Sequence, residues 1–301
     1  PAYNVGTSFS TPWVSRMAAE LTHLVKEEFD PLLIRALLIH NAKYPANNSM
    51  SMTDKVTQMG FGAPSSVQEM LYNSEDEITL ILRDTLEKGS FIEMFDFPFP
   101  ESLVDKDGNF VGQIIVTLVT KSLLDDKQAG EYCQSNIDIL FGTYETETDR
   151  DTSKKGIKNP KGLEEPQNIL LESLYSARVK GAHPFTGFER ECTLVKYGKK
   201  FHPVKKYAID LSEMTTSNRQ RYLRGDRKWY LKIEGLYRDF IEQDARARNY
   251  QLSQEYCLLL TIRDPNGKAP VYDEVAQQLD YKNFLHHNIQ LRNVVTIDGT
   301  L

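Results

Sequence analysis

The sequence predicts an α+β protein of two unlike parts: a helical segment over residues 1–74 and a β-rich, antiparallel sandwich-like domain over residues 75–301. Three observations carry this expectation. Residues 13–25 place Trp13, Val14, Met17, Ala18, Leu21, Leu24 and Val25 at helical spacing, so one broad face is apolar. From residue 75 the period changes to short runs rich in β-branched and aromatic residues. Turn signals punctuate those runs, Asp107-Gly108-Asn109 and Asp264-Pro265-Asn266-Gly267 among them. Several short strands separated in this way are the pattern of an antiparallel sandwich.

The first helix starts near Ser8, with Pro12 in its first turn, where a missing N–H costs nothing. It ends near Glu27 or Glu28, because Asp30-Pro31 opens a second helix that runs to Ala42, with Asp30 as N-cap and Pro31 at the first position. Residues 32–39 of that helix are apolar nearly all round, and such a helix needs cover on several sides. A sheet is expected over it. Lys43 to Met59 reads as a surface loop, Gly60-Phe61-Gly62 as a turn, and residues 66–72 as a short helix capped by Ser65 or Ser66. Strands are expected over 78–82, 91–95, 113–120, 137–144, 194–197, 204–211, 229–233, 256–263 and 294–297. Residues 145–165 read as an exposed polar excursion, 166–180 and 272–279 as helices, and 217–227 as an arginine-rich loop balanced by acids.

The chemistry concentrates at the start. Gly6-Thr7-Ser8-Phe9-Ser10-Thr11-Pro12 puts a serine at a helix N-terminus, where unpaired N–H groups and the positive end of the helix dipole suit a developing oxyanion. The stretch resembles the active-site serine motif of the subtilisin-like serine proteases, Gly-Thr-Ser-x-[Ala/Ser]-[Thr/Ser]-Pro. Gly6, Thr7, Ser8, Ser10, Thr11 and Pro12 meet its fixed positions. The elements beyond the motif also resemble that family in their order: a second apolar helix, a Gly-aromatic-Gly turn and a last short helix. By this resemblance residues 1–74 are the C-terminal, helical remnant of a subtilisin-like α/β catalytic domain. Ser8 is then the nucleophile of a serine-type endopeptidase that cleaves protein or peptide substrates through an acyl-enzyme, with its own N–H as one oxyanion donor.

A nucleophilic serine needs a histidine base and an aspartate to orient it. The family's order is Asp, His, Ser, with an oxyanion-hole Asn before the serine, and only seven residues precede Ser8. None of the six histidines, His23, His40, His183, His202, His286 and His287, stands in a His-Gly-Thr-His context. Asp107-Gly108 reads as a turn, and His40 as structural. The chain is therefore expected to be the C-terminal part of a longer subtilase and inactive alone, with the missing upstream part of the catalytic domain as a partner. The sheet over the second helix is expected from that part. The alternative is a non-catalytic sandwich module that binds protein partners, selects substrates or braces a protease. An α/β-hydrolase is excluded because Gly-x-Ser-x-Gly is absent around Ser8.

Composition bounds the rest. The chain has 301 residues, 40% hydrophobic and 26% charged, which suits a globular protein with room for two domains. A net charge of −6 gives no electrostatic footprint for nucleic acid, and the lysines at 196, 199, 200, 205 and 206 read as a solvated patch. No apolar run is long enough to span a bilayer. Three scattered cysteines, Cys133, Cys192 and Cys257, form no disulfide framework and lean toward a cytoplasmic compartment, against a family that is mostly secreted. No cofactor or metal is expected: there is no Asp-x-Asp-x-Asp-Gly loop, and the family's usual calcium sites lie upstream.

Overall fold

A computed structural model describes residues 6–25, 29–44, 52–145, 166–175, 191–192 and 201–281. Four helices come first: α1 (Thr7–Leu24), α2 (Pro31–His40), α3 (Met52–Met59) and α4 (Val67–Leu71). Asp30 caps α2 by accepting from the Leu32 and Leu33 N–H groups at 2.8 and 3.2 Å, with Pro31 at the first position. Ser66 caps α4 in the same way. Between them Gly62, at φ 96°, lets the turn approach Lys43 closely: a Cβ there would stand 2.5 Å from the Lys43 carbonyl oxygen.

The strands are β1 (Glu77–Glu87), β2 (Phe91–Phe97), β3 (Gln113–Thr120), β4 (Ser135–Tyr144), β5 (Gln167–Asn168), β6 (Glu191–Cys192), β7 (Val204–Asp210), β8 (Lys228–Tyr237) and β9 (Ser253–Arg263). They form two antiparallel sheets. One has the order β1-β9-β3-β7-β6, with β6 a two-residue pairing at its edge; the other has the order β2-β8-β4-β5. The inward side chains of both sheets make one core. Leu80 and Leu82 of β1, Val116 of β3 and Leu258 and Leu260 of β9 meet Ile139 and Phe141 of β4 and Leu231 and Ile233 of β8. Phe99 stacks on Trp229 with ring centroids 4.0 Å apart in the same core. Helix α7 (Val271–Tyr281) closes it with Val271, Val275 and Leu279.

The outer face of the five-stranded sheet is also buried. Ile81, Val119, Val204, Cys257 and Leu259 point away from the sandwich and pack against Met17 and Leu21 of α1, Leu33, Ile34, Ala36 and Leu37 of α2, and Met70 and Leu71 of α4. The molecule is thus three layers: helices, sheet, sheet. Burial on both faces explains why β9 reads as the nearly unbroken run Cys257-Leu258-Leu259-Leu260. A sheet does lie over α2, and strands downstream in the same chain form it.

Other expectations change in detail. Helix α1 begins at Thr7, so Pro12 lies in the second turn, and it ends at Leu24 rather than near Glu27. The stretch read as a loop after Lys43 contains α3. Residues 166–175 are not an α-helix: β5 pairs with Gly142 and Thr143 at the sheet edge, and a single 3-10 turn comes next over Glu172–Leu174. Ile169, Leu170 and Leu174 still enter the core, which is why their spacing imitated a helix. The arginine-rich loop contains a short helix, α5 (Thr216–Tyr222), and α6 (Asp239–Arg248) comes after β8. The excursion after Glu145 and the strands expected over 194–197 and 294–297 lie outside the described residues.

Candidate active site

Ser8 is the second residue of α1 and its side chain is exposed. The first intrahelical bonds are made by the N–H groups of Phe9 and Ser10, both to the Gly6 carbonyl, at 3.0 and 3.4 Å. The N–H groups of Thr7 and Ser8 therefore lie ahead of the helix's own bonding pattern, at the positive end of its dipole. Pro12 sits four residues after Ser8 and has no N–H to give its carbonyl, so the ladder is interrupted at that point. The first buried residue of α1 is Met17. The turns before it stand clear of the three layers and expose Phe9 and Trp13, at 59% and 50%, one helical turn apart.

Neither His23 nor His40 stands as a base for Ser8. His23 lies on the same helix fifteen residues away, about 22 Å along its axis. His40 is 4% exposed beneath the end of α2. Its Nδ1 is 2.9 Å from Thr117 Oγ1 and its Nε2 is 2.7 Å from Thr261 Oγ1, so both ring nitrogens are engaged by the sheet. Burial, and secondarily the charge of Lys206, drive its pKa from 6.5 down to about 3. His40 is a neutral structural histidine, as its position among Leu37, Leu38 and Ile39 implied. His183, His286 and His287 lie outside the described residues.

Residues 2–65 match the subtilase family, Peptidase S8. The matched stretch holds the Gly6 to Pro12 motif, both helices α1 and α2, and the Gly60-Phe61-Gly62 turn. The match suggests a serine-peptidase lineage for this segment. No curated protein matches the chain. The sandwich begins beyond the subtilase segment, yet its sheet covers that segment's helices.

The contact between the two holds residues that sequence reasoning misjudged. Of the lysines read as a solvated patch, 196, 199 and 200 lie outside the described residues, and Lys205 and Lys206 are not solvated. Both are buried, at 2% and 1% exposed, and as neighbours on β7 they face opposite ways. Lys205 Nζ donates to the Ile137 carbonyl and to Asp138 on β4, both at 2.9 Å. Lys206 Nζ donates to the carbonyls of Ile39 and Ala42 at the end of α2, at 2.8 and 2.9 Å. Strict alternation along a strand with two buried faces was the only sequence signal for this. A cleft of about 180 Å³ opens beside Lys206, walled by Lys43, Tyr72, Glu77 and Arg263. Burial holds the Glu77 carboxyl above its ordinary value, and Arg263 partly offsets that.

In the arginine-rich stretch Arg219 pairs with Asp105, Arg224 with Asp226 and Arg227 with Glu145, while Arg221 lies over the Tyr222 ring; farther on, Arg238 pairs with Glu131. Among the described residues no group of three or more His, Cys, Asp or Glu could hold a metal ion, and no helix is long and apolar enough to cross a membrane.

Proposed function

We propose that this chain carries the nucleophile of a subtilisin-type serine endopeptidase, with Ser8 as the attacking residue. The observation that carries the reading is the coincidence of the subtilase match with an exposed serine at a helix N-terminus. In the reaction Ser8 Oγ bonds to the peptide carbonyl carbon while its proton passes to a histidine base. The amine then leaves with that proton, and water hydrolyses the resulting ester. Gly6 and Thr7 shape the turn, and the Ser8 N–H, ahead of the helix's own bonds, is one oxyanion donor. The histidine and aspartate come from polypeptide outside the 301 residues, seated against the exposed Phe9 and Trp13 face. The sandwich over residues 75–301 is the brace for the helix pair, which makes the scaffold reading part of the same protein rather than its rival.

A fluorophosphonate probe tests this. The expected result is no Ser8-dependent labelling of the 301-residue chain, and strong labelling of the same chain extended upstream, lost in Ser8→Ala. Labelling of the extended protein that survives Ser8→Ala would overturn the assignment. Ser8-dependent labelling of the short chain would show that its base lies within it.

A further inference from the structure

We propose that Lys206 is a positioning residue for the Ser8 helix pair, acting through the last turn of α2. The effect on reaction rests on the nucleophile reading above; the effect on structure does not.

Four strands of one sheet present a polar row to the end of α2. Thr79 on β1 and Thr261 on β9 are register partners with hydroxyls 2.7 Å apart, and Thr117 on β3 is the register partner of Lys206 on β7. His40 bridges Thr117 and Thr261, and Lys206 reaches past them to the Ile39 and Ala42 carbonyls. These carbonyls lie at the negative end of the helix dipole, where a cation is favoured. Beyond this row and the quarter-exposed Asp30–Arg83 pair at the opposite end of α2, the contact between helices and sheet is apolar: Leu33, Ile34 and Leu37 over Ile81, Val119 and Leu259. Apolar contact alone is non-directional and leaves a helix free to slide or rotate. The buried row of directed bonds supplies the register.

Register at α2 is transmitted to α1 through packing. Met17 and Leu21 of α1 share the apolar cluster with Leu33, Ala36 and Leu37, and Ser8 lies two to three turns beyond Met17 on the same helix. A rotation of α2 therefore moves Ser8. The neighbouring Lys205 is the internal control. It is as deeply buried but ties β7 to β4 inside the sandwich, through the Ile137 carbonyl and the Asp138 carboxylate, on the face away from the helices.

The test is amide hydrogen exchange on the full chain, with Lys206→Met, Lys206→Arg and Lys205→Met compared to the parent. Lys206→Met is expected to speed exchange in α1 and α2 by about ten- to a hundredfold, with β4 and β8 unchanged. Lys206→Arg, which keeps donors at the same place, restores protection. Lys205→Met acts on β4 and leaves the helices alone. In the upstream-extended protein, Lys206→Met slows Ser8-dependent fluorophosphonate labelling and Lys206→Arg recovers it. Faster exchange spread evenly over all three layers, or helices indifferent to Lys206→Met, would overturn the proposal. If labelling never depends on Ser8, the nucleophile reading fails and the exchange pattern still decides the role of Lys206.

Discussion

His40 makes stability depend on pH, and the sign comes from its burial. The folded protein holds the ring neutral, with a pKa of about 3, whereas the unfolded chain takes up a proton near 6.5. Between those values the unfolded state binds more protons, so stability is complete above about pH 6.5 and falls as pH drops toward 3. The slope from this one group is at most about 1.4 kcal/mol per pH unit. Urea unfolding at pH 7, 6 and 5 reads it directly. His40→Gln is expected to be less stable at pH 7 but to lose less on acidification. Parallel pH dependence in the two proteins would remove His40 from the account. Gly62 gives a second residue-scale expectation. With φ at 96° and the Lys43 carbonyl in the way, Gly62→Ala combines strain with a clash. It should destabilise by more than the roughly 1 kcal/mol of an ordinary glycine position, read as a lower urea midpoint.

Helix α2 is the element on which the parts converge. Asp30 both caps it and pairs with Arg83 of β1 at 3.1 Å, so one side chain starts the helix and ties it to the sheet. Asp30→Ala is expected to cost about 1–2 kcal/mol, mostly the lost cap. Because both partners are a quarter exposed, a double-mutant cycle with Arg83→Ala should leave under about 1 kcal/mol for the pair. A coupling several times larger would make the ion pair, not the cap, the dominant role. This helix was also the most legible element in the sequence, because its start signals are local: an N-cap, a proline and an apolar run. The strands β3 and β9 were legible for the same reason. Helix α6 was not, since only Ala245 is buried and its apolar residues, Phe240 among them, form no core-facing stripe. Residues 166–175 misled because an edge pairing followed by a 3-10 turn buries the same apolar residues a helix would. At the candidate site, Ser8 and its turn could be read from seven adjacent residues. Lys206 could not, because the carbonyls that make its burial tolerable belong to residues far away in the chain.

At the scale of the whole molecule, the boundary expected near residue 74 comes just before the first strand, yet one apolar cluster draws on residues from both sides of it. Removing the helices uncovers Ile81, Val119, Val204, Cys257 and Leu259 on one sheet face, a patch that a free domain would have to hide. Residues 75–301 expressed alone are therefore expected to self-associate or to bind an apolar dye, and the 301-residue chain to do neither. A monomeric, dye-silent sandwich would show that the two parts are separable. The same sheet face contains Cys257, fully buried under the helices, its thiol pushed up by burial and so kept from its reactive thiolate form. Cys133 is also buried but lies outside the apolar cluster beneath the helices. An alkylating reagent can reach Cys257 only in the moments when the helical layer lifts from the sheet. Its rate of modification is thus a clock for that opening, one the protein carries without any label, and it ticks at a pace set by how firmly α1 and α2 are held down.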